Sequence, residues 1–336
     1  MNVLGARGMQ YIILENEFDY TEATFFDLFD YENVHYYRFP INTDSYLLRK
    51  LYILHGAQKV NHYINLPGQS AWNGLLYDAN SIDPCRPVCF IYSFRRIDRI
   101  RRSGFLDFVN NEYSCCYHVA YWDDLVQPDH KEALEFAKTH FDLVFTYDEG
   151  DAERYGMRYY PSFYSKAYDF NECQCDWDVF FIGNAKNRLD EIYLAYEALT
   201  GNGAVCKFVV NNVSDADKRD YPMIEYNHVL TYREVLNYTA RSNCILEIVQ
   251  LGSCGQTLRV NEAVVYNKRL LSNNPAISDL PQYDSRFMRI FSCVPTQEDC
   301  QMAMNRTKAD YRYAVNELSP IKFIETIESL LDVRSR

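Results

Sequence analysis

The chain has 336 residues, a length that favours two domains over a single hydrophobic core. Apolar residues make up 48% and charged residues 24%, which is typical of a folded globular protein and excludes a disordered or fibrous chain. The formal net charge of -12 argues against sequence-independent binding to nucleic acid, because such binding needs many cations that face phosphates.

The eleven cysteines contain no paired CxxC framework and no zinc-type spacing. The N-terminal stretch lacks the apolar core of a signal peptide, and no segment approaches the ~18 apolar residues of a membrane span. Free thiols without a leader segment predict a cytosolic protein.

Short β-rich runs alternate with helical patterns along the whole chain. The predicted strands are Tyr11–Leu14, Val34–Arg38, Val88–Ser93, Ser114–Tyr121, Leu143–Tyr147, Val179–Ile182, Cys206–Val210, Cys244–Val249, Arg269–Ser272 and Met288–Phe291. The predicted helices are Tyr46–Tyr63, Ile97–Asn110, Lys131–His140, Leu189–Thr200, Tyr232–Arg241, Thr257–Tyr266 and Pro320–Val333. This alternation predicts an α/β protein built from βαβ units with mainly parallel sheets.

A polar stretch at Ser165–Asp176 interrupts the alternation, and we expect the domain linker there. The predicted domains are residues 1–168 and residues 176–318, each a Rossmann-like unit. A C-terminal helical segment at 319–336 follows, with Ser319 as N-cap and Pro320 in the first turn.

The segment from Cys244 to Asn274 carries the most functional information. Its strand leads into a loop of small residues, and a helix begins at Thr257 and Leu258. Small residues allow a ligand to approach the backbone, and the free N–H groups of a helix start suit an anion. The residues predicted to bind a nucleoside diphosphate are Gly252, Ser253, Gly255, Thr257, Leu258, Arg259 and Glu262, with Arg259 on the diphosphate and Glu262 on the ribose diol. An ordinary strand–loop–helix joint with a solvated Glu262 is the alternative.

The motif from Gly255 to Ala263, Gly-x-Thr-Leu-Arg-x-x-Glu-Ala, followed by a strand with Asn273-Asn274, resembles the donor-site segment of GT-B glycosyltransferases. The segment Asp178–Gly183 with Lys186 and Arg188 resembles the first strand and basic loop of their nucleotide-binding half. Phe145–Asp148 resembles the end of their acceptor half. The matches span Ala120–Asn274 and are most similar to the capsule, lipopolysaccharide and spore-coat subgroup.

The resemblance implies two Rossmann-like domains facing a cleft, with a C-terminal helix that packs back toward the first domain. It also implies sugar transfer from a nucleoside-diphosphate donor to a glycan or lipid-linked acceptor. One position departs from the family. Retaining members often carry a Glu eight residues before the Glu of the Glu-Ala pair, and Cys254 occupies that position. The stereochemical outcome therefore stays open.

Three cations could stabilise a leaving diphosphate without a metal. Gly183, Lys186 and Arg188 follow a predicted strand, and Arg259 lies at the start of a helix. The alternative for Lys186 and Arg188 is a solvated helix start, where cations oppose the helix dipole. Asp215-Ala-Asp217 has the form of a metal motif, but its polar surroundings favour a solvated loop, and we predict no metal and no cofactor.

In an inverting route the acceptor hydroxyl needs a base, which the first domain must supply. Asp123 and Asp124 follow a predicted strand at the sheet edge where sites form, so Asp123 is the first candidate and Asp124 the second. A helix N-cap is an equal alternative for them. Asn16 and Glu17 are weaker candidates, and His118 lies inside a strand and favours a core position.

One basic run stands out in the acidic chain, with Arg95, Arg96, Arg99, Arg101 and Arg102 in nine residues. On one helix these residues would form a basic face beside the apolar stripe of Ile97, Ile100, Gly104 and Phe108. Such a face could contact anionic lipid at the inner side of a membrane. The alternative is a solvated face packed on a sheet.

The sequence therefore predicts a metal-independent glycosyltransferase of cell-surface polysaccharide synthesis, with a nucleotide-sugar donor and no nucleic-acid partner. Two alternatives remain open: a nucleotide-sugar epimerase or hydrolase of the same fold, and a non-catalytic protein that binds nucleotide sugars.

Overall fold

The computed structural model describes residues 3–4, 8–38, 40–57, 61, 64, 66–170, 175–250 and 256–334. The chain forms two compact units. Unit 1 is Met1–Pro161 with Pro320–Arg336, and unit 2 is Ser162–Ser319. Unit 2 thus begins ahead of Ser165–Asp176. Phe163, Tyr164 and Ser165 are at most 2% exposed, and the backbone N–H of Tyr164 donates to Leu318 O at 2.6 Å.

The sheet of unit 1 has six parallel strands. They are β1 Gln10–Leu14, β2 Val34–Tyr37, β3 Val88–Ser93, β4 Cys116–Trp122, β5 Leu143–Thr146 and β6 Arg158–Tyr159. Their order across the sheet is β2-β1-β3-β4-β5-β6. All residues of β1 and β3 are buried, as expected for central strands covered on both faces.

The helices of unit 1 ahead of residue 161 are α1 Asp19–Thr24, α2 Tyr46–His55, α3 Phe94–Ser103, α4 Phe105–Glu112, α5 Lys131–His140 and α6 Glu149–Tyr155. The single helix predicted at Ile97–Asn110 is therefore wrong. Gly104 adopts a left-handed conformation with φ 64°, which ends α3 and lets α4 start in a new direction.

The helix predicted at Tyr46–Tyr63 is also too long. It ends at His55, and Gly56 follows as its C-cap. A Cβ at Gly56 would lie 2.2 Å from the Arg99 guanidinium, so a larger residue would displace the end of that side chain. His62 and Tyr63 lie outside the described residues.

Unit 2 also contains a sheet of six parallel strands. They are β7 Trp177–Asn184, β8 Cys206–Asn211, β9 Ile224–Tyr226, β10 Ser242–Glu247, β11 Arg269–Ser272 and β12 Met288–Ile290, in the order β12-β11-β10-β7-β8-β9. Its helices are α7 Leu189–Gly201, α8 Tyr232–Ala240, α9 Leu258–Val265, α10 Gln297–Met304 and α11 Arg312–Leu318. Thr231 and Glu234 form a capping box at the start of α8. The N-cap of α9 is Thr257.

The last helix, α12 Pro320–Arg334, belongs to unit 1. Phe323 is fully buried, with its ring centroid 5.3 Å from Tyr121, 5.2 Å from Phe145 and 4.9 Å from Tyr160. The Tyr11 hydroxyl at the start of the unit donates a hydrogen bond to Glu328. Residues at the two ends of the chain therefore share one core.

The predicted α/β class with two Rossmann-like parallel sheets is confirmed, because every strand pair in both sheets is parallel. Among the strands and α-helices that the described residues form, the sequence analysis missed six short ones: β6, β9, α1, α6, α10 and α11. None of them exceeds eight residues, so each contains too few repeats for its hydrophobic periodicity to be recognised. No helix in the described ranges has the length and apolar content needed to cross a membrane.

Candidate functional site

Each sheet reverses its winding direction at one point. In unit 2 this switch point lies between β7 and β10, and in unit 1 it lies between β1 and β3. Open α/β sheets bind ligands outside the carboxyl ends of the strands at such points, because the connecting helices diverge there and leave a crevice. The predicted residues of unit 2 follow β7 and β10. Asp123 follows β4, the strand beside β3.

The end of β7, which contains Gly183, and the loop after it combine a close approach with backbone strain. A Cβ at Gly183 would lie 3.0 Å from Arg188 Nη2 and 3.2 Å from the Phe181 ring, so a larger residue would press on Arg188. Lys186 is exposed and has φ 44°, which is uncommon for a residue with a side chain. Such strain concentrates at functional loops.

Two arginines cross at the switch point of unit 2, in the sense that each donates a hydrogen bond to the backbone of the other's strand–helix segment. Arg188 follows β7 but donates to the carbonyl of Ile248, which follows β10. Arg259 lies on α9 after β10 but donates to the carbonyl of Ile182 in β7 at 3.4 Å. Burial and the charge of Arg259 lower the pKa of Arg188. Two guanidinium groups this close repel each other, so an anion bound between them would stabilise both.

Glu262 is fully buried at the inner end of this arrangement. Its carboxylate accepts a hydrogen bond from Arg259 Nη1 at 2.5 Å and one from the Tyr232 hydroxyl at 2.8 Å. The Tyr232 hydroxyl in turn lies 2.6 Å from that of Tyr164. The carboxylate has no exposed surface through which a ribose could reach it, and its described contacts orient Arg259.

A second buried carboxylate, Glu247, was missed by the sequence analysis. It is the last residue of β10, is 2% exposed, and accepts hydrogen bonds from Thr257 and Ser272. Burial raises its pKa, although these two hydrogen bonds oppose the increase. Glu247 joins β10, β11 and the start of α9. Its signal in the sequence is a lone acid at the end of an apolar strand.

The remaining predicted donor residues divide into two groups. Thr257 is the N-cap of α9 and accepts from Arg259 N at 3.2 Å, while Leu258 is the first helical residue. Both therefore lie at the positive end of the helix. Gly252, Ser253 and Gly255 lie outside the described residues, as does Cys254.

In unit 1, Asp123 lies in a half-buried position at the carboxyl edge of the sheet. Its Oδ2 accepts from the Tyr20 hydroxyl at 3.0 Å, and Arg95 Nη2 lies 4.0 Å from its Oδ1. That Oδ1 is buried and makes no hydrogen bond to any described residue. Burial raises the pKa of Asp123, although Arg95 and Tyr20 oppose the increase. A carboxylate oxygen in this state can accept a proton from a bound hydroxyl.

Glu15, at the switch point itself, was also missed. It follows β1, is 5% exposed, and its carboxylate accepts from the backbone N–H of Asn16 at 3.1 Å. Burial and the charge of Asp123 raise the pKa of Glu15 to about 8. Glu15 therefore keeps its proton near neutral pH.

The other candidates of unit 1 are less suited to chemistry. Asp124 is more than half exposed, and it pairs with Arg95 at 3.3 Å. Asn16 is buried and caps the loop by accepting from Phe18 N at 2.9 Å, whereas Glu17 is exposed. His118 lies in the core as expected. It contacts the Tyr92 hydroxyl at 3.0 Å, and burial lowers its pKa to about 4.

The basic run of α3 does not present five solvated cations. Arg96 is buried and donates to Glu15 O at 2.6 Å and Pro40 O at 2.7 Å. Arg99 stacks on Tyr52 at 4.0 Å, and Arg101 and Arg102 both pair with Asp98 at 2.8 Å. Of these five arginines only Arg95 is exposed, and it faces Asp123 and Asp124. The predicted basic face is therefore neutralised within unit 1.

The Asp215–Asp217 motif is exposed, with Asp215 paired to Lys218 at 2.6 Å and Asp217 accepting from the Ser214 hydroxyl at 2.6 Å. These local bonds fit the predicted solvated loop. Across the described residues, no three His, Cys, Asp or Glu side chains come together in a group that could hold a metal ion.

No family model matches this chain, and no curated protein matches it. Solved structures similar to it include UDP-N-acetylglucosamine 2-epimerase from Rickettsia bellii, with 13% identity, 97% of each chain covered and a TM-score of 0.49. Another is Alr3699/HepE from Anabaena in complex with UDP and glucose, with 12% identity, 89% of this chain and 86% of that chain covered, and a TM-score of 0.45.

A third similar structure is the spinosyn rhamnosyltransferase SpnG in complex with the spinosyn aglycone. Its identity is 11%, with 95% of this chain and 100% of that chain covered and a TM-score of 0.44. Scores of 0.44 to 0.49 at identities of 11 to 13% assign the chain to no family, activity or substrate.

Proposed function

We propose that this protein is a GT-B-type glycosyltransferase that uses a nucleoside-diphosphate sugar. The observation that carries the proposal is the crossing of Arg188 and Arg259 at the switch point between β7 and β10. Two converging guanidinium groups beside the start of α9 form a site for a diphosphate rather than for a neutral ligand. In this proposal Lys186 adds a third cation from the strained loop.

The cations have a defined role in sugar transfer. When the bond between the anomeric carbon and the diphosphate breaks, the diphosphate leaves with additional negative charge. Lys186, Arg188 and Arg259 would stabilise that charge, which is the task that a divalent cation performs in other transferases. We therefore propose that transfer does not depend on a metal. Glu262 acts in this scheme by orienting Arg259, and the direct ribose contact expected from the sequence would require the buried network to open.

The acceptor hydroxyl must lose a proton as it attacks. In our proposal Asp123 takes that proton at its Oδ1, which makes no hydrogen bond to a described residue, and Arg95 and Tyr20 hold the carboxylate in place. Glu15 is protonated near neutral pH, which limits the negative charge beside Asp123. Asp124 remains the second candidate for the base.

The finer assignments rest on the sequence resemblance. They are the bacterial cell-surface context, as in capsule or lipopolysaccharide synthesis, and the glycan or lipid-linked acceptor. The stereochemical outcome is part of the same question, because Cys254 replaces the Glu that many retaining members carry.

A nucleotide-sugar epimerase or hydrolase is the second candidate, and one observation favours it. Glu15, with a pKa of about 8, can donate a proton near neutral pH, and Asp123 Oδ1, which accepts no hydrogen bond from a described residue, can take one, so unit 1 offers an acid and a base at the same time. A reaction that both removes and returns a proton would use such a pair. Incubation of the donor without acceptor separates the candidates, because only an epimerase or hydrolase would form an epimer or a free sugar.

The first experiment measures binding of uridine, thymidine, guanosine, adenosine and cytidine diphosphates by calorimetry, with and without EDTA. We expect one nucleotide to bind selectively and without sensitivity to EDTA. Arg188→Ala should weaken that binding by roughly tenfold or more, the value of one or two charge-assisted hydrogen bonds. The matched control is Arg312→Ala, an exposed arginine of unit 2 paired with Asp310. Equal affinities for wild type and Arg188→Ala would disprove the diphosphate site.

A further inference from the structure

Helix α2 exposes apolar side chains in place of burying them. Its only buried residue is Tyr52, at 3% exposure. Among the described residues, seventeen large apolar side chains are exposed, and six of them belong to this one helix. They are Tyr46 at 73%, Leu47 at 67%, Leu48 at 37%, Leu51 at 45%, Ile53 at 38% and Leu54 at 66%. These six side chains, together with Lys50, are called the α2 surface.

The inner side of α2 is held by Tyr52 and His55. The Tyr52 ring lies 5.6 Å from that of Trp72, and the Arg99 guanidinium stacks on its other side at 4.0 Å. His55 Nδ1 accepts from the Trp72 indole N–H at 2.8 Å. None of these contacts uses the α2 surface, so the fold of unit 1 does not explain its apolar character.

The geometry of the helix places every apolar group of the α2 surface except Leu48 about 100° or more from Tyr52. At about 100° per residue, Lys50, Leu54 and Leu47 lie nearly opposite Tyr52, with Tyr46 and Leu51 beside them. Contiguous apolar patches of this kind mark interaction surfaces, because apolar surface exposed to water contributes no free energy to the stability of the folded chain.

The charge of α2 indicates the chemistry of its partner. The helix contains Arg49, Lys50 and His55 and no acidic residue, although the chain as a whole carries a net charge of -12. The Lys50 ammonium lies 5.3 Å from the Tyr46 ring centroid, within the α2 surface. A long basic side chain inside an apolar face can keep its charge among anionic headgroups while its methylene groups stay in the apolar layer.

A second copy of the chain fits this surface less well. A stable protein–protein interface buries about 800 Å² on each partner and involves roughly 20–30 residues a side. The α2 surface belongs to a helix of ten residues and consists of only seven side chains. Two copies meeting there would also bring Lys50 against Lys50, which opposes self-association.

We propose that the α2 surface docks unit 1 on an anionic lipid bilayer. The helix lies along the membrane, with its leucines among the acyl chains and Lys50 at the headgroups. This assigns the membrane contact to Tyr46–His55 rather than to Arg95–Arg102, whose guanidinium groups are engaged within unit 1. The inference stands on α2 alone and does not depend on the proposed transfer reaction.

The test is co-sedimentation of the full chain with vesicles. One set is phosphatidylcholine alone, and in the other about a third of the lipid is phosphatidylglycerol. We expect binding to the anionic vesicles that weakens with salt. The double variant Leu47→Ser/Leu54→Ser should lower the partition coefficient by roughly tenfold or more, and Lys50→Glu should remove the preference for anionic lipid.

The matched control is Leu194→Ser/Val229→Ser, which removes two exposed apolar side chains of unit 2 and should bind as wild type does. All these side chains are exposed, so the melting temperatures should agree, and this is checked first. The proposal is overturned if wild type does not sediment with anionic vesicles, or if Leu47→Ser/Leu54→Ser binds them equally well. Dimers that dissociate in this variant, without any lipid binding, would overturn it in favour of a second copy.

Discussion

At the residue scale, three buried carboxylates support the groups that carry the proposed chemistry. Glu15, Glu247 and Glu262 are at most 5% exposed, and each lies at or next to a switch point. Burial of a carboxylate costs free energy unless hydrogen bonds or a cation compensate. Glu262 forms an ion pair with Arg259, and Glu247 accepts hydrogen bonds from two hydroxyl groups, which oppose the increase in its pKa. For Glu15 burial raises the pKa to about 8.

The pKa of Glu15 predicts how stability depends on pH. Between about pH 4.5 and about pH 8, the folded state keeps the Glu15 proton while the unfolded state loses it. Raising the pH through this window therefore favours unfolding, by up to about 1.4 kcal/mol for each pH unit. Glu15→Gln removes this contribution, so its free energy of unfolding should rise relative to wild type as the pH increases, as measured by urea unfolding. The neighbouring Glu17→Gln, which is exposed, should follow wild type. A constant difference between Glu15→Gln and wild type at all pH values would contradict the raised pKa.

The burial of Glu262 changes what its replacement should do. On the ribose assignment alone, Glu262→Ala would weaken nucleotide binding and leave melting nearly unchanged. Because the carboxylate is fully buried and paired with Arg259, we instead expect a loss of about 3 kcal/mol in the free energy of unfolding as well as weaker binding. Adding Arg259→Met should restore part of the stability, since it removes the uncompensated charge, but not the binding. An unchanged melting temperature in Glu262→Ala would favour the ribose role.

At the element scale, the alternation of strands and helices can be predicted from the sequence, because the hydrophobic residues of long strands and long helices repeat with different periods. Lys131–His140 and Arg269–Ser272 have the bounds that the sequence predicts. The errors occur where a single glycine ends a helix. Gly104 divides α3 from α4, and Gly56 ends α2 against Arg99. The apolar pattern continues across both glycines, so periodicity alone could not locate the breaks.

Helix α12 offers a test of one element. The Phe323 ring is fully buried among Tyr121, Phe145 and Tyr160. Phe323→Ala should lower the free energy of unfolding of unit 1 by about 3–5 kcal/mol, because it leaves a cavity in an aromatic cluster. Phe108→Ala on α4, where the ring is 38% exposed, is the control and should cost much less. Chemical unfolding followed by tryptophan fluorescence measures both, and equal losses would show that α12 contributes little to the core.

At the scale of the whole molecule, each unit has its own hydrophobic core. That of unit 1 contains Phe90, Tyr92 and Trp122, and that of unit 2 contains Phe181 and Phe208. Separate cores of this size can unfold separately. The tryptophans are divided between them, since Trp72 and Trp122 belong to unit 1 and Trp177 to unit 2.

We therefore expect two unfolding transitions with different responses. The diphosphate nucleotide that binds should raise the transition of unit 2, since a ligand stabilises the unit that holds it. Phe323→Ala should lower that of unit 1. Calorimetry resolves the transitions, and Trp177→Phe identifies that of unit 2 by removing its fluorescence signal. A single transition that moves with both changes would contradict independent cores.

The sequence alone determined the α/β class, the parallel sheets, most strands and the positions of the cations after β7 and β10. These features depend on local periodicity and on residues that follow a strand, which a linear pattern records. Tertiary structure decided which charged side chains are buried, which are paired and which have shifted pKa values. It brought Arg188 and Arg259 together through the carbonyls of Ile248 and Ile182, and it buried Glu262. It also raised the pKa of Glu15 beside Asp123, neutralised the α3 arginines and left the leucines of α2 exposed. Burial and electrostatic interactions join residues that are far apart in the sequence, such as Glu15 and Asp123. No local sequence pattern contains that information.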